Sequence, residues 1–208
     1  MELHGPTLTL RYATPEDAPA LFELGSDREV TRFFSWGPYV RIEAPIAYII
    51  GLADRCERGE QLDLLIVHRE DGPIGVVGFV EVAQRDRRAV IGTWLGRRWW
   101  GSGANREVKA LMARLAFERL GLERLGAYAD LENGRSQAAL ERLGFQREGL
   151  LRRWHRHGDV AHDVYVYGLL REEWERSPLA AVPYELIGEP PAAFVAAGAP
   201  LTRDAAPS

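Results

Sequence analysis

Apolar residues recur along this chain with two spacings, one typical of strands and one typical of helices. Three apolar runs, Leu62–His68, Ile74–Val82 and Ala89–Leu95, are separated by turn-forming residues and predict three strands joined by short loops. After Gly103 the apolar spacing changes to three or four residues and continues to Leu120, which predicts a helix. The short loops between the three strands indicate an antiparallel meander.

Further predicted elements flank this meander on both sides. Strands are predicted over Leu8–Arg11, Leu125–Ala129, Phe145–Trp154 and Val160–Leu170, and helices over 15–24, 43–57 and 133–143. Sequential strands are thus mixed with crossover helices, which is typical of α+β or mixed-sheet α/β proteins. We therefore predict an α+β / mixed α/β fold.

The last 31 residues differ from the rest in composition. Nine of them are alanine, and six of the chain's 12 prolines lie there. Such a composition does not predict a core of its own, although Tyr184, Leu186 and Phe194 offer apolar anchors. We predict one domain over residues 1–177 and a C-terminal appendage over 178–208.

Composition and charge narrow the class of protein. The 208 residues carry a formal net charge of −4, which argues against broad nucleic-acid binding. We find no run of about 18 apolar residues and no basic segment followed by an apolar core at the N-terminus, so neither a membrane span nor a secretory signal is predicted. The single cysteine, Cys56, favours a reducing, cytoplasmic compartment. Lys109 is the one lysine among 26 basic residues, and a coding bias toward arginine explains that imbalance.

The segment from Arg97 to Asn105 carries the clearest chemical signal. It follows a predicted strand, contains Gly101 and Gly103, and opens a predicted helix. Glycines allow a tight turn and a close backbone approach, and a helix N-terminus favours an anion. These features predict a phosphate or pyrophosphate site, with Arg97 and Arg98 as additional donors. A plain helix cap shows the same pattern, whereas a Walker A loop would need a following Gly-Lys-Ser/Thr.

This loop resembles a known family. Arg98-x-x-Gly101-x-Gly103 is similar to the Gln/Arg-x-x-Gly-x-Gly/Ala loop of GNAT-superfamily acyltransferases, which hold the coenzyme A pyrophosphate. Other segments resemble the RimJ/RimL-type branch of protein N-terminal acetyltransferases, in the same order: LTLRYATPEDAPALFEL, Ile91–Leu95, Asn133-Gly-Arg-Ser136, Leu143-Gly144-Phe145 and Asp163-Val-Tyr165. The resemblance covers roughly residues 8 to 174 and implies a mostly antiparallel mixed sheet flanked by helices, with a parallel splayed strand pair at the acyl-CoA site.

The resemblance also implies which positions bind acyl-CoA. Backbone groups of Trp94, Leu95 and Gly96 would pair with the pantetheine arm. Arg97 and Arg98 would lie near the pyrophosphate. Backbone amides would hold the pyrophosphate at Gly101, Ser102, Gly103, Ala104 and Asn105.

Catalytic roles follow from the resemblance in the same way. Asn133 would hydrogen-bond the arm near the thioester, and Ser136 would protonate the departing thiolate. Many relatives have a tyrosine in this acid role four residues later, where this chain has Leu140. Our candidate for the base is Glu81, in the strand segment Gly78–Val82. Related enzymes often have a glutamate directly before the Ile-Gly of the next strand, where this chain departs from the pattern with Val90.

The predicted activity is acyl transfer from acetyl-CoA, or another acyl-CoA, to a primary amine by direct attack in a ternary complex. An α-amino group has an ordinary pKa of about 7.7–8.0 against about 10.4 for lysine, so it needs only a weak base. The resemblance favours a protein or peptide α-amino acceptor, and Trp36 is expected to line the acceptor groove. Alternatives are a small-molecule amine acceptor, such as an aminoglycoside, polyamine or amino acid, and a non-catalytic acyl-CoA-binding protein. The family also suggests a homodimer.

The region after Leu151 allows two other interpretations. His155, His157 and His162 invite a metal site, but a polar hairpin near the substrate mouth explains them better, and we predict no metal. Three arginines beside Trp154 fit a local nucleic-acid surface, and a solvated strand face or contacts with an acidic acceptor explain them as well; they are Arg152, Arg153 and Arg156.

Overall fold

The structure, a computed structural model, describes residues 1–196. Within these residues nine strands form one sheet in the order β7-β8-β6-β5-β4-β3-β2-β1-β9. The strands are β1 (Glu2–His4), β2 (Leu8–Arg11), β3 (Leu62–His68), β4 (Gly72–Ala83), β5 (Arg88–Leu95), β6 (Arg124–Asp130), β7 (Gln146–His157), β8 (Val160–Leu170) and β9 (Glu185–Ile187). The helices are α1 (Ala18–Gly25), α2 (Arg28–Thr31), α3 (Glu43–Glu57), α4 (Ala104–Arg114), α5 (Gly134–Arg142) and α6 (Arg171–Glu175).

Most of these elements confirm the predicted order. The bounds of β2, β3, β8 and α3 are those predicted from the apolar pattern. The helix predicted to run to Leu120 is α-helical only to Arg114 and continues as a π-helical turn over Leu115–Arg119. None of the helices in the described part of the chain is long and apolar enough to cross a membrane.

One strand pair differs from the others in the described sheet, because β5 and β6 run parallel while the other neighbours are antiparallel. They pair only from Arg88 to Val90, against Arg124–Gly126, and then separate. We call the opening between Ile91–Leu95 and Ala127–Asp130 the wedge. This arrangement confirms the predicted mixed sheet with a splayed parallel pair.

Alternating side chains give the sheet two different faces at the wedge. On one face Ile91 and Leu95 join Leu125 in the main core, which the apolar side of α4 covers through residues such as Val108 and Leu111. On the opposite face α1 and α3 pack on β3 and β4 in a second, smaller core. Helix α4 therefore borders the wedge on the first face. On the second face, α1 and α3 cover β3 and β4.

The described part of the C-terminal appendage packs on the domain. Phe194 is fully buried in the main core, and Leu179 is nearly so. Strand β9 extends the sheet by pairing with β1, and neither three-residue strand was predicted. The boundary at residue 177 stays a prediction, and residues 197–208 of the predicted appendage lie outside the described residues.

Candidate active site

The glycine-rich loop forms an open turn directly before α4. Gly101 has a φ of +78° and Gly103 has a φ of +95°, values that glycine adopts without strain. A Cβ atom at either position would meet nothing within 4 Å. Backbone conformation, and not crowding, therefore requires glycine here, and the space above the loop is free for a ligand.

Several amide donors of the loop have no acceptor in the described part of the chain. The N–H groups of Gly101, Gly103 and Asn105 have no hydrogen-bond acceptor within residues 1–196, while the N–H of Ala104 donates to Ser102 Oγ at 3.2 Å. The first amides of a helix lack intrahelical acceptors and carry partial positive charge, so they favour an anion. The open space and the free donors together fit the pyrophosphate of coenzyme A.

Two arginines flank the loop without covering it. Arg97 and Arg98 are both exposed. Arg98 Nη2 lies 2.8 Å from Asp71 Oδ1, and its guanidinium lies 5.4 Å from the ring centroid of Trp99. His68 Nδ1 also lies 2.9 Å from Asp71 Oδ2. The turn between β3 and β4 thus holds Arg98 beside the amides.

At the end of β5 the backbone groups already have partners. Gly96 N–H donates to Ile74 O at 2.8 Å, and Trp100 Nε1 donates to Leu95 O at 2.9 Å. Because the C=O and N–H of one trans peptide point in opposite directions, the Leu95 carbonyl faces away from β4 and toward the wedge. The Arg135 guanidinium stacks 3.2 Å from the centroid of Trp100, so Trp100 links the loop to α5 across the mouth of the wedge.

Asn133 and Ser136 meet where β6 leads into α5. The Asn133 side-chain oxygen accepts the Ser136 N–H at 3.1 Å and thereby caps the helix. Asn133 N–H donates to Asp130 O at 3.0 Å, which fixes the cap to the end of β6. Leu140, one turn later, is buried in the core and brings no polar group to the wedge. The structure thus places both predicted residues beside the wedge.

On the face opposite α4, a cluster of aromatic side chains lies beside an exposed part of β5, and we call this surface the aromatic groove. The Trp36 ring lies 5.3 Å from the Trp94 ring, and it also stacks with Phe34 and Tyr39. Gly92 is exposed although β5 is a central strand, and an added Cβ would meet nothing within 4 Å. The surface above Gly92 is therefore open, and Trp36 lies beside it through its contact with Trp94. That Trp36 binds the acceptor stays a prediction.

Glu81 reaches the same groove from the neighbouring strand. Tyr128 Oη donates to Glu81 Oε2 at 3.0 Å, and because β5 separates β4 from β6, the two side chains meet above β5. Glu81 has a φ of +50° and lies where the β4–β5 register shifts, a bulge that re-aims its side chain. Burial and the Glu81 charge raise the pKa of Tyr128 to about 12, so its hydroxyl stays protonated and holds the carboxylate.

A histidine–aspartate pair at the end of the groove was missed from the sequence. His162 Nδ1 lies 3.0 Å from Asp130 Oδ2, and the Asp130 side chain is buried. The His157 ring lies 4.2 Å from that of His162, and burial lowers the pKa of His157, with a smaller effect from His162. The signal is absent from the sequence because Asp130 and His162 meet only when β6 pairs with β8. Within residues 1–196 no three His, Cys, Asp or Glu side chains are grouped to hold a metal ion.

Filling the aromatic groove is expected to weaken acceptor binding selectively. Gly92→Leu places a side chain in open space on a strand that tolerates it, so the KM for the amine should rise at least tenfold. The Kd for acetyl-CoA, measured by calorimetry, should change less than twofold because the loop is untouched. Equal losses for both substrates would show that the groove does not receive the amine.

A mixed sheet with a splayed parallel strand pair and a glycine-rich loop before α4 defines the class of protein, an acyltransferase that takes its acyl group from acyl-coenzyme A. Residues 7–146 match the acetyltransferase (GNAT) domain, so the chain belongs to the GNAT acetyltransferase family. It is an acetyl-CoA-dependent N-acetyltransferase.

Related proteins support this assignment. The chain is 35% identical over 173 residues to the uncharacterized N-acetyltransferase p20 of Bacillus licheniformis, covering 83% of this chain and 97% of the relative. The structure of RimL, a ribosomal L7/L12 alpha-N-protein acetyltransferase in complex with coenzyme A, superposes with a TM-score of 0.70 at 26% identity, over 79% of this chain and 94% of that one. A chimera of the spermidine N-acetyltransferase SpeG from Vibrio cholerae shares the fold, with a TM-score of 0.69 at 19% identity over 82% and 99% of the chains.

Proposed function

We propose that this N-acetyltransferase acetylates the α-amino group of a protein or peptide, in the manner of the RimJ/RimL-type branch. The observation that carries the proposal is the charge beside the aromatic groove. Arg152, Arg153 and Arg156 are exposed on β7, and Trp154 between them lies 5.9 Å from Tyr128. A cationic rim repels a polyamine and attracts an acidic peptide. The similarity to RimL supports the same choice.

The side chains divide the reaction between the two faces of the sheet. The amides of 101–105 hold the pyrophosphate, and Asn133 orients the arm in the wedge. Acetyl-CoA, when bound, supplies an activated acetyl thioester. Glu81, held by Tyr128, accepts a proton from the attacking amine, and Ser136 donates one to the departing thiolate. Positioning the two reactants accounts for much of the remaining rate enhancement.

An amine screen tests the proposal. Release of the coenzyme A thiol would be followed with a peptide that has an acidic N-terminal segment and a free α-amino group. The same peptide with a blocked N-terminus and an internal lysine, spermidine and an aminoglycoside would be compared with it. Turnover confined to the free α-amine is expected. Turnover with spermidine or the aminoglycoside would overturn the acceptor, and binding of acetyl-CoA without any turnover would favour the non-catalytic alternative.

Removing the proposed base is expected to slow the chemical step. Glu81→Gln should lower kcat by about 10²–10⁴-fold and leave the Kd for acetyl-CoA unchanged, because the side chain lies on the groove face. Glu57→Gln, an exposed change at the end of α3, serves as the matched control. An unchanged kcat in Glu81→Gln would exclude Glu81 as the base.

Two more properties belong to this proposal. A cytoplasmic location is supported by the single cysteine, Cys56, and a homodimer by analogy with the family. Nucleic acid and membrane are not among the proposed partners. Sedimentation of the purified protein would measure the oligomeric state directly.

A further inference from the structure

The core beside the wedge contains a buried amine, Lys109, that has no part in the proposed reaction. Lys109 lies on α4 and is only 5% exposed. Its Nζ atom lies 2.6 Å from Thr93 Oγ1 on β5. Lysine is among the residues least often fully buried, and this is the chain's one lysine.

The partner of Lys109 places the amine at the wedge. Thr93 lies three residues beyond Val90, the last β5 residue that pairs with β6, and its side chain alternates onto the α4 face. Lys109 follows Ala104 by five residues, about 7.5 Å along the helix axis at 1.5 Å per residue. The amine therefore lies on the α4 side of the wedge, between the pyrophosphate loop and the acyl-transfer end.

Lys109 has more donors than partners in the described part of the chain. An ammonium group has three N–H donors and a neutral amine has two, and the structure shows one hydrogen bond, to Thr93. A buried polar group with unused donors destabilises a fold. Burial also lowers the pKa of Lys109 to about 7. Folding alone does not explain a lysine here, whereas a ligand carbonyl in the wedge would satisfy its donors.

We propose that Lys109, oriented by Thr93, donates a hydrogen bond to a carbonyl oxygen of the pantetheine arm of the bound acyl-CoA. The ligand group is an amide or thioester carbonyl, an acceptor that a buried amine matches. This inference deepens the proposed function, because it rests on acyl-CoA binding in the wedge. It makes Lys109 and Thr93 a second contact with the cofactor, separate from the amides of the loop.

Two ligands distinguish the contribution of this contact to binding from that of the loop. Acetyl-CoA carries the pantetheine arm, and adenosine 3′,5′-bisphosphate, a fragment of coenzyme A, lacks it. Lys109→Met keeps the length of the side chain and removes its donors, so the Kd for acetyl-CoA should rise about tenfold. The Kd for the bisphosphate should change less than twofold. Thr93→Val should act in the same direction with a smaller effect. Equal changes for both ligands, or an unchanged Kd for acetyl-CoA, would overturn the proposal.

The melting temperature distinguishes a ligand-binding lysine from a structural one. Without ligand, Lys109→Met should melt at or above the wild type, because it removes a buried group with unused donors. A lower melting temperature with unchanged acetyl-CoA affinity would show that Lys109 has a structural role and would overturn the proposal. Arg106→Met, which removes an exposed charge from the same helix, is the control. A long-range electrostatic effect of a lost charge would change the Kd values of both ligands alike. A wild type that binds acetyl-CoA but acetylates no α-amine would refute the proposed acceptor and leave the Lys109 test intact.

Discussion

Acetyl-CoA affinity is expected to fall at least a hundredfold when Gly103 is replaced by valine. The φ of +95° at Gly103 is one that a β-branched residue rarely adopts, so the turn must change shape. The new side chain would also project into the open space above the loop. Hydrogen bonds to charged groups are worth about 1.5–3 kcal/mol each, so misplacing two amides accounts for about 3 kcal/mol or more. Calorimetric titration of acetyl-CoA into wild type and variant measures the effect.

Gly158→Val is the matched control for this substitution. Gly158 also has a positive φ, of +60°, and open space around its Cβ position, but it lies in the turn between β7 and β8. The two variants thus share the backbone strain and differ in the loop. Strong acetyl-CoA binding should survive in Gly158→Val. Comparable losses in both variants would show that the glycine-rich loop is not the pyrophosphate site.

The elements that the sequence predicted well are those whose apolar pattern is local. Strand β3 and helix α3 have the predicted bounds because each has its own periodicity and clear turn residues at its ends. Strands β1 and β9 were missed because each has three residues, and they exist only through pairing with each other and, for β1, with β2. Short edge strands of this kind have no period to detect.

In the candidate site, too, the features that could be predicted are those that are local in the sequence. The glycine loop could be recognised because its residues are contiguous and the helix follows at once. The contact between Glu81 and Tyr128 could not, because it joins β4 to β6 across β5 and depends on a bulge. Lys109 left one usable signal, a lysine inside the apolar run Val108–Ala113, and composition alone attributed it to a bias toward arginine.

The proposed roles divide the two substrates between the two faces of the sheet. On the α4 face, the amides of the loop and the Lys109 amine would bind the acyl carrier. On the opposite face, Glu81 and the aromatic groove would bind and deprotonate the acceptor amine. Because β5 separates them, a substitution on one face should affect one substrate and spare the other. Paired measurements of acetyl-CoA Kd and amine KM, applied to Gly92→Leu and Lys109→Met, test this separation.

The stability of the free protein is expected to rise with pH above neutrality because of Lys109. Its pKa is lowered by burial to about 7, whereas an unfolded lysine has an ordinary pKa of about 10.4. Between these values the unfolded chain binds one more proton than the folded chain, so the free energy of unfolding increases with pH. The full penalty for burying the charge applies below about pH 7 and disappears above the unfolded pKa. The slope from one proton is about 1.4 kcal/mol per pH unit, or roughly 2–3 kcal/mol between pH 7.5 and 9.5.

Urea unfolding of the wild type and Lys109→Met over that pH range isolates the contribution of this one amine. Tyrosines and other groups that titrate nearby are common to both proteins and cancel in the difference. The wild type should gain stability relative to the variant at every step from pH 7.5 to 9.5, and the gap should stop changing below about pH 6, where the amine is charged in both states. If the two curves run parallel throughout, the folded lysine has an ordinary pKa and reaches solvent. The buried donor on which acyl-CoA binding is proposed to depend would then not exist.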